Sequence, residues 1–252
     1  MDKYQLFHQL HHQQKGFVLA NAWDLSSAQF IQAAGAKAVA TTSWGIAASL
    51  GLADGENISF QTQITLVKSL TKHLHIPLSV DIESGYSNDP QQISQNVLVL
   101  ARLGVVGINI EDSDKETDTL RSIEQQCTII SEIKKVLNEN SFGSLFINAR
   151  TDTYFVSDSP FQATLKRAKA YQDAGADGLF VPGITNIEHI SLANTIDMPL
   201  NVMAINSFNS AKAAFAGGAK RFSLGNSLYD LVGNTIKTSL NQIKTAFKIE
   251  FN

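Results

Sequence analysis

Several things are scarce in this chain, and each shortage excludes a class of protein. Only one of the 252 residues is cysteine, Cys127, so neither an intrachain disulfide nor a multi-cysteine zinc site can form. Five prolines and no Ser/Pro-rich tract leave no linker, which predicts one domain over residues 1–252. No charge of one sign dominates: 20 Lys and Arg face 23 Asp and Glu, for a net charge of −3. Such a balance lacks the basic footprint of a nucleic-acid binder or an anionic-membrane binder. Long hydrophobic runs are also missing. The most apolar uncharged stretch, residues 38–53, is sixteen residues long and carries two Thr, two Ser and two Gly. It is too short and too polar to span a bilayer. The first residues have no apolar core like that of a secretion signal. These absences predict a soluble, cytoplasmic protein.

What is present is a loose repetition. An Ala-Gly or Leu-Gly pair recurs before a short apolar run, with its glycine at Gly35, Gly104, Gly175 and Gly218. Glycine just past a helix accepts the left-handed conformation, so each reads as helix stop, tight turn and buried strand. Four more runs are strand-like, at residues 17–20, 77–80, 144–149 and 200–203. Helical patterns lie between them. Ile64, Val67, Leu70 and Leu74 share one face, Ile123, Cys127, Ile130 and Leu137 another, and Pro160 opens a third helix. Eight strands alternating with helices over this length predict an α/β fold, a (β/α)8 barrel. A doubly wound open sheet is the alternative, but no G-x-G-x-x-G follows the first strand. The segment from Asn226 carries Leu228, Leu231, Ile236, Leu240, Ile243 and Phe247. It is long for one closing helix, which points to packing on a partner subunit.

In such barrels chemistry sits where strands end. Asp81 and Glu83 stand two apart at the end of strand 3, and Glu111 ends strand 4. Converging carboxylates repel unless a cation lies among them, and an all-oxygen donor set without histidine or cysteine selects Mg2+, held partly through water. The other role open to these acids is to cap the following helices. Arg150 is the only basic side chain at a strand end; it suits a carboxylate or phosphonate held in a fork, or a salt bridge to Asp152. Thr42 and Ser43, with the N–H groups of their turn, form a candidate anion cradle. Asn109 and Asn201 join the candidate substrate-binding residues as strand-end amides. No strand ends in lysine, which argues against Schiff-base chemistry.

Four stretches, taken together and in order, resemble the isocitrate lyase/phosphoenolpyruvate mutase superfamily. They are Thr42-Ser43-Trp44 running on to Asp54, Asp81-Ile82-Glu83-Ser84-Gly85-Tyr86, Gly107-Ile108-Asn109-Ile110-Glu111-Asp112, and Asn148-Ala149-Arg150-Thr151-Asp152. The likeness extends from about Asn21 to Gly225. It implies a (β/α)8 barrel in helix-swapped dimers or tetramers, a Mg2+ cofactor, and small 2-oxo or 2-hydroxy acids or phosphonates as substrates. It implies Asp81 as the principal metal ligand, with Glu83 where the family often has a second aspartate, and Glu111 beside them. It also implies Thr42, Ser43 and Trp44 on the anion-binding turn, with Asp54, Glu111 and Arg150 as catalytic residues. The implied chemistry passes through an enolpyruvate and serves C–C cleavage, decarboxylation and P–C rearrangement alike.

The sequence departs from that pattern after strand 4. The lyases carry a Lys-(Lys/Arg)-Cys-Gly-His motif there; this loop reads Ser113-Asp114-Lys115-Glu116-Thr117-Asp118-Thr119-Leu120-Arg121, with no cysteine, histidine or glycine. It also lacks the asparagine of the mutase lid. Lys115 or Arg121 could enter on closure, or the acid-rich run could be a solvated loop. Cys127 sits on the apolar helix face as a core residue, not a nucleophile. Trp44, where the family has a small residue or leucine, predicts a narrow pocket. Together these readings put a Mg2+-dependent C–C lyase or decarboxylase first, a phosphonomutase or phosphonopyruvate hydrolase second, and a catalytically inactive metabolite-binding barrel third.

Overall fold

The computed structural model describes residues 2–117 and 119–247. Eight parallel strands close into a barrel: β1 Phe17–Ala22, β2 Val39–Thr41, β3 Leu78–Asp81, β4 Gly107–Glu111, β5 Phe146–Arg150, β6 Gly178–Phe180, β7 Leu200–Met203 and β8 Arg221–Ser223. Neighbours follow the chain around the ring, and β8 pairs back onto β1 with Phe17 opposite Arg221. The protein is therefore a (β/α)8 barrel, as its spacing predicts.

Strand periodicity of two divides each strand between helices and lumen. Val80, Ile108, Ile147, Leu179 and Val202 turn outward into the large apolar cluster that also contains Val67, Leu70, Val97, Ile130 and Ala168 of the helices. Each such aliphatic side chain contributes about 1.5–3 kcal/mol when fully buried. The helices are α1 Lys3–His12, α2 Leu25–Ala33, α3 Ser43–Ser49, α4 Phe60–His73, α5 Pro90–Arg102, α6 Ile123–Glu139, α7 Thr153–Val156, α8 Pro160–Asp173, α9 Ile187–Ile190, α10 Ala211–Ala216 and α11 Ser227–Phe247. Reciprocal capping boxes start α1 at Asp2–Gln5 and α6 at Ser122–Gln125. Gly35, Gly104, Gly175 and Gly218 all adopt positive φ, between 88° and 107°, the helix stops read from their recurrence.

Two expectations shift. The buried face of α6 is Gln126, Ile129, Ile130, Ile133 and Leu137, so Cys127 lies at its edge, half-buried, with its thiol donating to the Ala170 carbonyl at 3.4 Å. From that edge Cys127 still packs against the large apolar cluster. The loop after β4 is not simply solvated: Glu111 and Asp112 are buried, and Ser113–Asp114 pairs antiparallel with Thr119–Leu120 as a small hairpin. Asp118 lies outside the described residues.

Helix α1 seals the end of the barrel where strands begin. Phe7 approaches so closely that a Cβ on Gly107 would lie 2.6 Å from its ring. His11 stacks on Phe146 at 4.1 Å and meets Phe17 edge-on at 4.9 Å. Burial, with Arg221 close by, holds its imidazole well below the usual histidine range, so it is neutral. Among the described residues no helix is long and apolar enough to cross a membrane.

Candidate active site

The opposite end of the barrel opens into a cavity of about 120 Å³. Asn21, Thr42, Ser43, Trp44, Asp54, Asp81, Asn109, Arg150, Phe180, Met203 and Ser223 line it. Local structure sets each position. Thr42 is the N-cap of α3 and accepts from the Gly45 N–H at 3.3 Å, while its hydroxyl donates to Asn226 Oδ1 at 2.9 Å. Ser43 then faces the cavity and donates to Asp81 Oδ2 at 3.3 Å. Trp44 rests edge-on against Tyr229 of α11, with ring centres 5.4 Å apart. Asn21 is fully used by backbone: it donates to the Thr41 carbonyl and accepts from Leu224 and Gly225 N–H. Asp24 caps α2 through Ser27 and takes no part in the cavity.

The three acids divide into two groups. Asp81 lines the cavity together with Asp54. Glu83 and Glu111 stand behind it, joined by the ammonium of Lys115, which ion-pairs with Glu111 and lies 3.7 Å from Glu83 Oε2. The hairpin after β4 thus carries a lysine into the acid cluster, and Lys115 is the residue of that loop that enters. Glu83 has φ +49°, a costly conformation for a residue with a side chain. The turn is held by Glu56, whose N–H donates to Glu83 Oε2 at 2.6 Å and whose Oε1 accepts from Ser84 and Tyr86 N–H at 3.0 and 2.9 Å. Burial pushes Glu83 up to about 8, reinforced by Asp81 and Asp54. Burial likewise raises Glu111 to about 7 against the pull of Arg150.

Among the described residues no three His, Cys, Asp or Glu side chains are gathered tightly enough to hold an ion alone. The donor chemistry still fits Mg2+. Asp81 offers a buried carboxylate to the cavity, Asp54 faces it, and an ion bound there would complete its shell with water and substrate.

Arg150 lies in a clamp. Its Nη1 meets Glu111 Oε2 at 2.8 Å, and its Nε and Nη2 form a fork on Asp152 at 2.7 and 3.0 Å. Of the two roles open to it from sequence, the salt bridge to Asp152 is formed, and the same guanidinium also lines the cavity. Asp152 also accepts from Ser113 Oγ at 2.6 Å, tying the hairpin to the clamp. Behind it Asp112, fully buried, accepts from the Asp152 N–H, Tyr171 OH and Arg167. Arg121 is also buried; it donates to the Ser84 and Ser87 carbonyls and so supports the Glu83 turn instead of facing the cavity.

Asn201 lies outside the cavity lining, buried where its Oδ1 accepts from Ser223. Sequence reasoning missed Glu56, Asp112 and Arg221. Glu56 acts through loop backbone and Asp112 through backbone, Tyr171 and Arg167; only the acid run over 111–118 hinted at Asp112. Arg221 begins β8, so it carried no strand-end signal, yet it is fully buried in the lumen.

The comparisons agree with this architecture. The family model for phosphoenolpyruvate phosphomutase matches residues 7–244. An uncharacterized protein of Mycobacterium tuberculosis is 37% identical over 216 residues, 85% of this chain and 80% of its own. The 2-methylisocitrate lyase of Salmonella typhimurium is 29% identical over 177 residues, 67% of this chain and 58% of its own. A crystal structure from Burkholderia cenocepacia J2315, provisionally described as a phosphonomutase, superposes with a TM-score of 0.91 at 32% identity, covering 96% of this chain and 100% of that one. A phosphonopyruvate hydrolase in complex with oxalate and Mg2+ shares the fold, with a TM-score of 0.86 at 19% identity over 98% of this chain and 88% of that one. The chain belongs to the phosphoenolpyruvate phosphomutase family, within the isocitrate lyase/phosphoenolpyruvate mutase superfamily of lyases and mutases.

Proposed function

We propose that this protein is a Mg2+-dependent lyase or decarboxylase acting on a small 2-oxo or 2-hydroxy dicarboxylic acid by way of an enolpyruvate. The observation that carries this reading is the clamped Arg150 facing Asp81 and Ser43 across a cavity of about 120 Å³, room for an acid of a few carbons. Mg2+ at Asp81 would supply Lewis-acid stabilisation of the charge that develops in the reaction. Arg150, fixed by Glu111 and Asp152, donates to the substrate carboxylate and the oxygen on which charge accumulates, without reorganising as the reaction proceeds. Ser43 and the turn it opens bind a second anionic group, and Trp44 narrows the mouth. The apolar stripe Leu231, Val232, Ile236, Leu240 and Ile243 of α11, 41–60% exposed, supports a helix-swapped dimer or tetramer.

The second reading, a phosphonomutase or phosphonopyruvate hydrolase, is favoured by the family model and by the Burkholderia likeness. One assay separates them. Protein and Mg2+ are incubated with oxaloacetate, 2-methylisocitrate, dimethylmalate and phosphonopyruvate, while pyruvate and phosphoenolpyruvate are followed. Pyruvate from a carbon acid supports the first reading, and turnover of phosphonopyruvate alone replaces it with the second. Saturable binding without product makes the barrel a metabolite binder. Activity that survives chelation, or full activity in Asp81→Ala, removes the metal from the proposal.

A further inference from the structure

Arg221 lies at the start of β8 and is 0% exposed. In the ring of strands β8 and β4 are diametrically opposite, yet Arg221 Nη2 donates to Asn109 Oδ1 on β4 at 3.1 Å. The side chain therefore crosses the whole lumen beneath the cavity. Among the described residues it has no carboxylate at ion-pair distance, and its Nε and Nη1 have no partner. A buried guanidinium with one hydrogen bond costs stability that a methionine or leucine of similar size would not. Packing does not account for it.

Its single bond has a chemical consequence. Asn109 Oδ1 also accepts from Asn148 Nδ2 at 2.9 Å, so both of its lone pairs are taken. A guanidinium only donates, so the amide of Asn109 cannot turn over to offer its nitrogen to Arg221. Asn109 lines the cavity, and its Nδ2 has no protein acceptor among the described residues. We propose that Arg221 is a positioning residue which, from across the barrel, locks Asn109 as a hydrogen-bond donor to an acceptor oxygen of the substrate. The floor of the cavity then selects a carboxylate or oxo oxygen and rejects a group that must itself donate at that point. This inference rests on the cavity being the substrate site.

The test uses the full chain, with oxalate in saturating Mg2+ as the probe, and compares wild type, Arg221→Met and Arg221→Lys. Oxalate affinity should fall at least tenfold in Arg221→Met, while its melting temperature stays level or rises, because an uncompensated buried charge has gone. Lysine, also a pure donor, should restore most of the affinity. Unchanged affinity in Arg221→Met overturns the inference. So does an Arg221→Met protein that no longer folds, since the arginine would then be holding the barrel together. If wild type does not bind oxalate, the reading of the cavity fails on its own, and a ligand-free measurement decides the inference. The side-chain amide pair of Asn109, assigned in 15N-asparagine spectra by its loss in Asn109→Ser, should shift or broaden in Arg221→Met and remain in Arg221→Lys. An Asn109 signal identical in all three proteins overturns the proposal.

Discussion

Where the strands begin, Phe7, Phe17, Phe146 and the neutral ring of His11 fill the barrel; where they end, Asp81, Glu83, Glu111, Arg150 and Lys115 crowd around one small cavity. The same eight strands carry both ends, and the materials are opposite. Aromatic packing at the closed end leaves His11 Nε2 without a partner but buries three phenylalanine rings, so on balance it adds stability. Buried charge at the open end is expensive, and is compensated only by pairing each acid with a cation or an N–H. The contrast teaches that apolar packing and buried charge are separated along the barrel axis, and Arg221 is a charged side chain that extends from the closed half toward the open one.

That separation can be broken from either side. The largest effect is expected from Arg150→Met: turnover in the substrate assay should fall by about a thousandfold or more. Stability should drop by about 3–5 kcal/mol, because Asp152 loses the cation it pairs with while buried and Glu111 keeps only Lys115. Retained activity would show that the open end does not depend on its clamp. Phe7→Ala strikes the other end and should cost about 3–5 kcal/mol, a fall in melting temperature on the order of 10 °C, with oxalate affinity unaltered. A large change in affinity there would mean that the two ends are coupled.

A subtler effect is expected from pH. Glu83 rises from 4.5 to about 8 and Glu111 to about 7, so the folded, metal-free protein holds protons that the unfolded chain releases. Stability without metal should therefore fall as pH rises from about 4.5 to 8, and Mg2+ should bind more tightly as those protons leave. Calorimetric melts at several pH values, with and without Mg2+, check both signs; a metal-free melting temperature that climbs across that window contradicts them. The smallest effect should come from Asp24→Ala, which removes the cap of α2 and costs about 1 kcal/mol with no change in turnover.

Much of the architecture was legible in the sequence because its signals are local. The glycine stops, the short apolar runs of the strands and the apolar faces of the helices each act within a few positions, so eight strand–helix units could be counted directly. Arg150, Asp81 and the Thr42–Trp44 turn were legible too, since the ends of barrel strands are where such groups matter. The rest depends on contacts between residues far apart in the chain. The loop after β4 offered Lys115 and Arg121 equally; which one enters was decided by the Glu83 turn, whose carbonyls take up the Arg121 guanidinium. Glu56 and Glu83 lie 27 residues apart yet hold one turn together.

By itself the sequence determined a (β/α)8 barrel and an oxygen-rich rim without cysteine, because periodicity and composition are properties of short stretches. Only the tertiary structure decided that Glu83 and Glu111 close on a lysine behind Asp81, and that Arg221 spans the lumen to Asn109. Closing the barrel brings opposite strands within one side chain's length, and no local pattern records which residues will meet there.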